Sequence, residues 1–255
     1  MSWILAIETS ALAGGAALGA SEPGGDLVER LFGEGRRHCV GLFPAVSDLL
    51  AEAGASARDL SGVAVSVGPG SYTGLRIGVA AAKSLAWSLG IPLACVSSLE
   101  ALAAEALGAE ALAERESRAR LVPVVDARQG QVYWAEFEPA AAMEAAEGTE
   151  RVLRRLSCDQ VSPAAVLGER ARPGTLLFGT GAAACREALG DDIEGLSFAD
   201  GPVAPAPRRA LEIGHRMLAA GEAAGGAGGA DVHAVAPVYL RPSAAETQWK
   251  ERRST

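Results

Sequence analysis

A glycine-rich turn in the first third of the sequence has the residues that a phosphate site needs. An apolar stretch over residues 63–67 leads into Gly68, Gly70 and Ser71, and a helical pattern follows over residues 72–89. A helix that begins after such a turn offers free N–H groups and a positive dipole end to an anion. Ser71 is equally well explained as an N-cap residue. The spacing fits neither a Walker A loop nor a dinucleotide fingerprint, so phosphate binding and plain capping both remain open.

Small residues form a stripe along the helix that follows this turn. Gly74, Gly78 and Ala82 are spaced four apart, so they lie on one helical face. Glycine inside a helix costs about 1 kcal/mol relative to alanine, which calls for a compensating reason. The stripe predicts that another backbone approaches closely. Packing against the protein's own sheet or first helix and packing against a helix of another molecule explain it equally well.

The order of elements predicts two similar lobes. Strands over residues 3–9, 16–20 and 27–32 form a meander, and helices over 38–53 and 72–89 alternate with strands over 63–67 and 93–96. A second series of this kind begins at Leu121 and contains a strand–glycine turn–helix pattern from Thr175. Such a duplication indicates an α/β protein similar to the actin-like class of acetate kinase, sugar kinases and Hsp70. The lobes are predicted at residues 1–115 and 116–255, with the last helix and tail packing back on the first lobe.

An acidic residue ends the first strand of each predicted lobe. Glu8 and Asp126 hold these places, and Gly179 and Gly181 form the second lobe's glycine turn. In actin-like enzymes an acid at this place holds a magnesium-bound water. For each acid taken alone, capping of the amides that follow it is the favoured explanation.

Composition limits the class of protein. The 255 residues are 49% hydrophobic and 21% charged, with a formal net charge of −8, which argues against nucleic-acid binding by this chain alone. The four cysteines contain no CxxC pair and are expected to be buried reduced thiols, and the three histidines are isolated. Glu8 interrupts the apolar start, no segment could span a membrane, and the protein is expected in the cytoplasm.

The long segment SVGPGSYTGLRIGVAAAKSLAWSLGIPLACVSSLEALA, from Ser66, resembles the TsaB family of subunits of the bacterial tRNA threonylcarbamoyladenosine synthase. ILAIETS near the start, RRHCVGLFPAVSDLL from Arg36, VDARQGQVYWAEF from Val125 and the late PVYLRP support the resemblance. It covers most of the chain in the same order. The resemblance implies a two-lobed actin-like fold with a reduced second lobe.

The resemblance also implies a function and its partners. TsaB pairs with its catalytic relative TsaD and with the ATPase TsaE, and the complex adds a threonylcarbamoyl group to the adenosine beside the tRNA anticodon. The chain would then meet tRNA only through the complex and would form a homodimer when alone. Its contact surface would lie on the helices at 38–53 and 72–89, at the following residues: His38, Phe43, Val46, Leu50, Gly74, Leu75, Gly78 and Ala82.

The chain departs from its catalytic relative at a metal site. TsaD carries two histidines spaced HxxxH in a segment similar to GIPLACVSSLEALA, and the matching positions here are Ser98 and Leu102. Leucine cannot ligate a metal, and serine is a poor ligand for a transition ion. The sequence therefore predicts an inactive paralogue with no resident metal and no tightly bound cofactor. A weak nucleotide site at the lobe interface stays open, because Glu8 stands where many relatives have aspartate and the longer acid could still reach a metal. Whether adenine nucleotide binds weakly at a subunit interface also stays open.

Three other functions compete with this interpretation. A small actin-like ATPase or kinase would use Glu8, Asp126 and the turns Gly68–Gly70 and Gly179–Gly181. A peptidase, suggested by the old glycoprotease-like label, finds no ligands in the sequence. A homodimeric regulator would need neither enzymatic chemistry nor a TsaD-type partner.

Overall fold

The computed structural model describes residues 2–22, 24–34, 38–108, 120–140, 153–170, 172–190, 193–199, 204–225 and 231–241. The strands of this part are β1 (Trp3–Glu8), β2 (Ala13–Ala20), β3 (Leu27–Glu34), β4 (Leu60–Gly68), β5 (Leu93–Ser97), β6 (Arg120–Arg128), β7 (Gln131–Trp134), β8 (Phe137–Pro139), β9 (Leu153–Arg155), β10 (Gln160–Pro163), β11 (Thr175–Phe178) and β12 (Leu196–Phe198). The helices are α1 (His38–Glu52), α2 (Tyr72–Leu89), α3 (Ser98–Gly108), α4 (Val166–Glu169), α5 (Ala182–Leu189) and α6 (Pro207–Ala220). Short 3-10 turns lie at Ala57–Asp59 and Val232–Ala234.

Two sheets with the same strand pattern confirm the predicted duplication. The first runs β3-β2-β1-β4-β5, and the main path of the second runs β10-β7-β6-β11-β12. In each, three antiparallel strands are continued by two parallel ones, beside β1 in the first sheet and beside β6 in the second. The hairpin of β8 and β9 lies off this path. This pairing order, repeated in both sheets, is the two-lobed actin-like fold that the sequence predicts.

The first sheet is covered on both faces, which is why β1 is apolar throughout. Trp3, Leu5 and Ile7 face a core that they share with α1 and α2. Ile4 and Ala6 face the opposite layer, which α6 completes. Alternate side chains of a strand point to opposite faces, so a strand buried on both sides needs an unbroken apolar run.

Helix α3 is shared between the two lobes. Leu99 and Leu102 are fully buried among residues of the second sheet, including Leu121 and Phe178. Helix α6, which follows the second lobe in the chain, packs on β1, β2, β4 and β5 of the first. The second lobe is therefore inserted between α3 and α6 of the first. The predicted boundary at residues 115 and 116 lies outside the described residues.

Most predicted elements of the first lobe are confirmed within one to four residues. Helix α2 spans Tyr72–Leu89, as its pattern indicates, because Ser71 caps its start through the Gly74 amide and Gly90 ends it at φ 67°. Among the helices that the structure describes, none is both long and apolar enough to cross a lipid bilayer.

Candidate functional site

The turn between β1 and β2 lies directly against the start of α2. The backbone N–H of Ser71 donates to the carbonyl oxygen of Ser10 over 2.7 Å, and the Thr9 hydroxyl donates to the carbonyl oxygen of Gly74 over 2.8 Å. The glycines make this contact possible. A Cβ at Gly74 would overlap the Thr9 carbonyl oxygen, and one at Gly78 would overlap the Thr9 hydroxyl.

The small-residue stripe is thus filled by the chain's own turn. Gly70 follows the same rule, since a Cβ there would overlap the Ser10 carbonyl oxygen. Ala82, the last residue of the stripe, is fully buried in the core shared with the first sheet. Of the two explanations that the spacing leaves open, the structure favours packing within the chain.

This packing corrects the set of residues assigned to a contact surface. Five of them are buried in the interior and cannot present a surface in this structure, because they lie on the faces of α1 and α2 that cover the first sheet: Val46, Gly74, Leu75, Gly78 and Ala82. Leu50 is half-buried, whereas Phe43 is 57% exposed. The side chain of His38 lies outside the described part of the chain. That the two helices dock on a partner stays a prediction.

The exposed surface of α1 and α2 has a different composition from the predicted one. Val40, one turn before Phe43, is 74% exposed, and the spacing of these two residues could have identified it. We use the term outer helical face for the following residues, which lie at helical spacing on the outer sides of α1 and α2 and are exposed except for the half-buried Ile77: Val40, Phe43, Pro44, Ser47, Thr73, Ile77, Ala80 and Ser84.

Glu8 is buried and held by its neighbours. One carboxylate oxygen accepts from the Ser10 backbone N–H over 2.6 Å, and the other forms a short hydrogen bond with the Ser66 hydroxyl. Burial raises the pKa of Glu8 above its ordinary value, while the hydrogen bonds from Ser10 and Ser66 lower it in part. The expected capping of the Ser10 amide is therefore present, although the turn is not solvated.

Asp126 occupies the corresponding place in the second lobe but in a different environment. Its side chain is 36% exposed, and it accepts from the Arg128 backbone N–H over 2.7 Å. Its own N–H donates to the Thr180 hydroxyl over 3.3 Å. Both acids thus cap amides of their own turns, and only Asp126 faces solvent.

The second glycine turn is also packed on the chain itself. Gly179, at φ 107°, lies so close to the Val124 carbonyl that a Cβ would overlap its oxygen. A Cβ on Gly181 would lie 3.2 Å from the Asp126 backbone nitrogen. In the first lobe, Gly68 at φ 115° likewise has the Val238 carbonyl oxygen 3.1 Å from where its Cβ would be. Close approach of backbone accounts for each of these glycines without a phosphate.

The two positions that match the metal ligands of the catalytic relative are occupied by internal contacts. The Ser98 hydroxyl is buried and donates to the Pro69 carbonyl oxygen. Leu102 is fully buried, and its Cδ2 lies 3.0 Å from where a Cβ on Gly179 would be. Within the described ranges, no group of three or more histidine, cysteine or acidic side chains is arranged to hold a metal ion.

The cysteines and histidines are only partly as expected. All four cysteines are free, and burial raises the pKa of Cys185 to about 12. Cys39 and Cys158 are exposed, which contradicts the expectation that the thiols are buried. His215 contacts the Ser21 carbonyl oxygen over 2.7 Å, a structural role of the kind expected.

Replacing Glu8 by glutamine is expected to stabilise the protein at neutral pH. The pKa of Glu8 is higher in the folded protein than in the unfolded chain, so between these two pKa values the folded protein binds more protons than the unfolded chain does. The free energy of unfolding therefore falls as the pH rises through this range. Above that range the ionised form costs about 1.4 kcal/mol per unit of separation. Glutamine avoids this cost and can still accept from Ser10 and donate to Ser66. Urea unfolding from about pH 4 to about pH 8 measures the difference.

Asp126→Asn is the matched control, because Asp126 caps an amide of its own turn as Glu8 does but its side chain is 36% exposed. A Glu8→Gln variant that loses stability at neutral pH would contradict the raised pKa of Glu8, because it would show that the ionised carboxylate stabilises the fold. Stabilisation of the unmodified protein by Mg²⁺, absent in the variant, would instead indicate a metal ligand.

The structure defines a two-lobed actin-like protein: its two sheets have the same pairing pattern, and α3 packs between them. The family of TsaD, tRNA N6-adenosine threonylcarbamoyltransferase, matches residues 34–249. The TsaB tRNA threonylcarbamoyladenosine biosynthesis protein of Bacillus subtilis (strain 168) is 35% identical over 219 residues, which cover 85% of each chain. That of Escherichia coli (strain K12) is 33% identical over 221 residues, covering 85% of this chain and 84% of the relative.

A solved structure of YeaZ from Pseudomonas aeruginosa agrees with these matches. It aligns with a TM-score of 0.70 at 27% identity, covering 94% of this chain and 100% of that one. The chain belongs to the TsaD family and, within it, to the TsaB/YeaZ type. It is thus related to proteins of tRNA threonylcarbamoyladenosine biosynthesis.

Proposed function

We propose that this chain is a non-catalytic docking subunit in tRNA threonylcarbamoyladenosine synthesis. It binds a TsaD-type catalytic subunit, and a TsaE-type ATPase joins the pair. The observation that carries the proposal is the outer helical face, an exposed and uncharged surface centred on Val40 and Phe43. The same face would join two copies of the chain when the partner is absent.

The charges of α1 and α2 support docking through this face. Asp48 and Glu52 follow Pro44 at intervals of four residues, so the acids of α1 lie at the C-terminal end of this face, two or more turns from Val40. The two basic residues of α2, Arg76 and Lys83, donate to residues of the C-terminal segment. Depletion of charge at the centre of a surface, with an aromatic residue exposed there, is typical of protein interfaces.

The contacts at Ser98 and Leu102 support the absence of catalysis by this chain. A metal-dependent transfer needs ligands that converge on an open coordination position. Here the Ser98 hydroxyl is used by Pro69, and Leu102 fills its place with an apolar side chain. The transfer to adenosine would therefore take place on the catalytic partner.

The remaining partners follow from charge and from the packed turns. A net charge of −8 is unfavourable for direct tRNA contact, so we expect tRNA to bind the complex rather than this chain. A Cβ on Gly70 or Gly179 would overlap a backbone oxygen of the same chain, so close packing explains both glycines without a phosphate. We therefore propose no tightly bound cofactor and only weak adenine-nucleotide binding, at a subunit interface. A cytoplasmic protein is expected from this function.

The proposal is tested by threonylcarbamoyladenosine formation on tRNA by the TsaD-type and TsaE-type proteins, with and without this chain. Gly78 is unsuitable for an interface variant because a side chain there would strike Thr9 of the same chain. Phe43→Asp is better, since Phe43 is 57% exposed. Burying its carboxylate in an apolar contact is expected to weaken the complex by about 30-fold or more and to make the free protein monomeric.

Leu31→Asp is the matched control, because Leu31 is 70% exposed on β3 next to Gly15, away from the outer helical face. Its neighbour Phe32 points the other way and packs on Gly41 of α1. Modification that proceeds equally well without the chain would refute the proposal. Equal loss of binding in both variants would refute the assignment to the outer helical face.

A further inference from the structure

The segment at residues 231–241 runs along α2, and we call it the C-terminal strap. It begins with the 3-10 turn Val232–Ala234, which Asp231 caps by accepting from the His233 N–H over 2.9 Å. Lys83 of α2 holds this end, because its ammonium group donates to the carbonyl oxygens of His233 over 2.8 Å and Val235 over 2.7 Å.

The middle of the strap is attached to the first lobe near the start of α2. The Val238 N–H donates to the carbonyl oxygen of Val67 in β4 over 2.7 Å. The ring of Tyr239 packs on that of Tyr72 with centroids 4.7 Å apart, and its hydroxyl accepts from Arg76 Nε over 3.0 Å. These contacts fix the direction of the chain toward the second lobe.

The end of the strap holds the turn between β6 and β7. The guanidinium of Arg241 donates to the carbonyl oxygens of Ala127 and Arg128, the latter over 3.1 Å, and to Oε1 of Gln129. Arg128 and Gln129 have φ angles of 68° and 56°, in the left-handed region that costs a residue with a side chain about 1–2 kcal/mol. One residue of the strap thus gathers three oxygen atoms of a turn with an unfavourable backbone.

We propose that the C-terminal strap is a releasable clasp between α2 and the β6–β7 turn. In its described residues only Val232 is buried, with Val235 half-buried beside the same core, so beyond these residues and the Tyr239 ring the strap is held mainly by hydrogen bonds to Lys83, Arg76 and the turn. Segments with few buried apolar contacts open locally without global unfolding. The apolar junction at α3 keeps the lobes together when the strap opens, and the β6–β7 turn, which follows Asp126 in the chain, is then released from α2.

Amide hydrogen exchange on the full chain tests this inference. Arg241→Ala is expected to increase exchange at residues 126–132 about tenfold, the factor that corresponds to losing hydrogen bonds to one charged group. The matched control is Arg216→Ala, because Arg216 is exposed on α6. Unchanged exchange at residues 126–132 in Arg241→Ala would overturn the proposal. Far-UV circular dichroism confirms that both variants are folded.

A second variant tests whether the strap acts as one unit. Lys83 lies about 16 Å along α2 from Tyr72 at 1.5 Å per residue, so it touches only the first part of the strap. Lys83→Met removes both of its hydrogen bonds and keeps most of its apolar stem. A clasp that opens as a unit transmits this loss to residues 126–132. Faster exchange confined to residues 231–236 would refute a single clasp.

Discussion

Replacing Gly74 by alanine is expected to lower the free energy of unfolding by about 3 kcal/mol or more. Intrinsic helix propensity predicts the opposite sign, because alanine in a helix interior is favoured over glycine by about 1 kcal/mol. Packing decides the outcome: the added methyl group would overlap the carbonyl oxygen of Thr9, which is part of the backbone and cannot turn away. The Thr9 hydroxyl, which donates to the Gly74 carbonyl oxygen, would be displaced as well.

Urea unfolding of Gly74→Ala and of Ser84→Ala makes the comparison. Ser84 is exposed on the same helix and donates to the carbonyl oxygen of Ala80 one turn earlier, so its loss should change stability by less than about 0.5 kcal/mol. A stable Gly74→Ala protein that had lost only partner binding would show that the stripe serves another molecule. This single variant therefore separates the two explanations that the sequence leaves open.

Replacing Leu102 by histidine is expected to cost about 3–5 kcal/mol of stability and to create no metal site. The substitution restores one ligand of the HxxxH pattern, but Leu102 is fully buried in an apolar cluster with Leu99 and Phe178. The variant would lose apolar burial and place a polar imidazole in an apolar cluster. Leu102→Met, which conserves volume, should cost less than about 1.5 kcal/mol.

The double variant Ser98→His with Leu102→His gives the sharper test. Both positions lie on one face of α3, but the first is occupied by the contact with the Pro69 carbonyl and the second by packing on Gly179. We expect neither Zn²⁺ nor Fe²⁺ to raise its unfolding midpoint. Tight metal binding by this variant would contradict the conclusion that internal contacts of this chain occupy the two positions that bind metal in the catalytic relative.

The elements and the duplication could be predicted because their signals are local. Strand β1 is an unbroken apolar run, α2 has a cap at each end, and the second lobe repeats the order of the first. The strands β8 and β9 were not predicted, since three residues each are too few to establish a period.

The residues against which each helix face packs could not be predicted, because they lie far away in the sequence. The spacing of Gly74 and Gly78 indicates a close approach, but Thr9, which makes it, lies 65 residues before Gly74. Helix α1 has apolar residues around much of its circumference, so the pattern did not separate buried Val46 from exposed Val40. The contact of Arg241 with the β6–β7 turn spans more than 110 residues and has no periodic signal.

The insertion of the second lobe has a consequence for the order of synthesis on the ribosome. The face of the first sheet that α6 covers stays open until about 120 more residues have followed β5, which takes about 6–25 s at typical elongation rates. That waiting face is built largely from alanine, with Ala6, Ala17, Ala64 and Ala94 at its centre, whereas the face covered earlier by α1 and α2 carries the larger side chains. The face of the first sheet that stays uncovered longer during synthesis is therefore the one with the smaller apolar side chains, which offer less area for contacts with other chains.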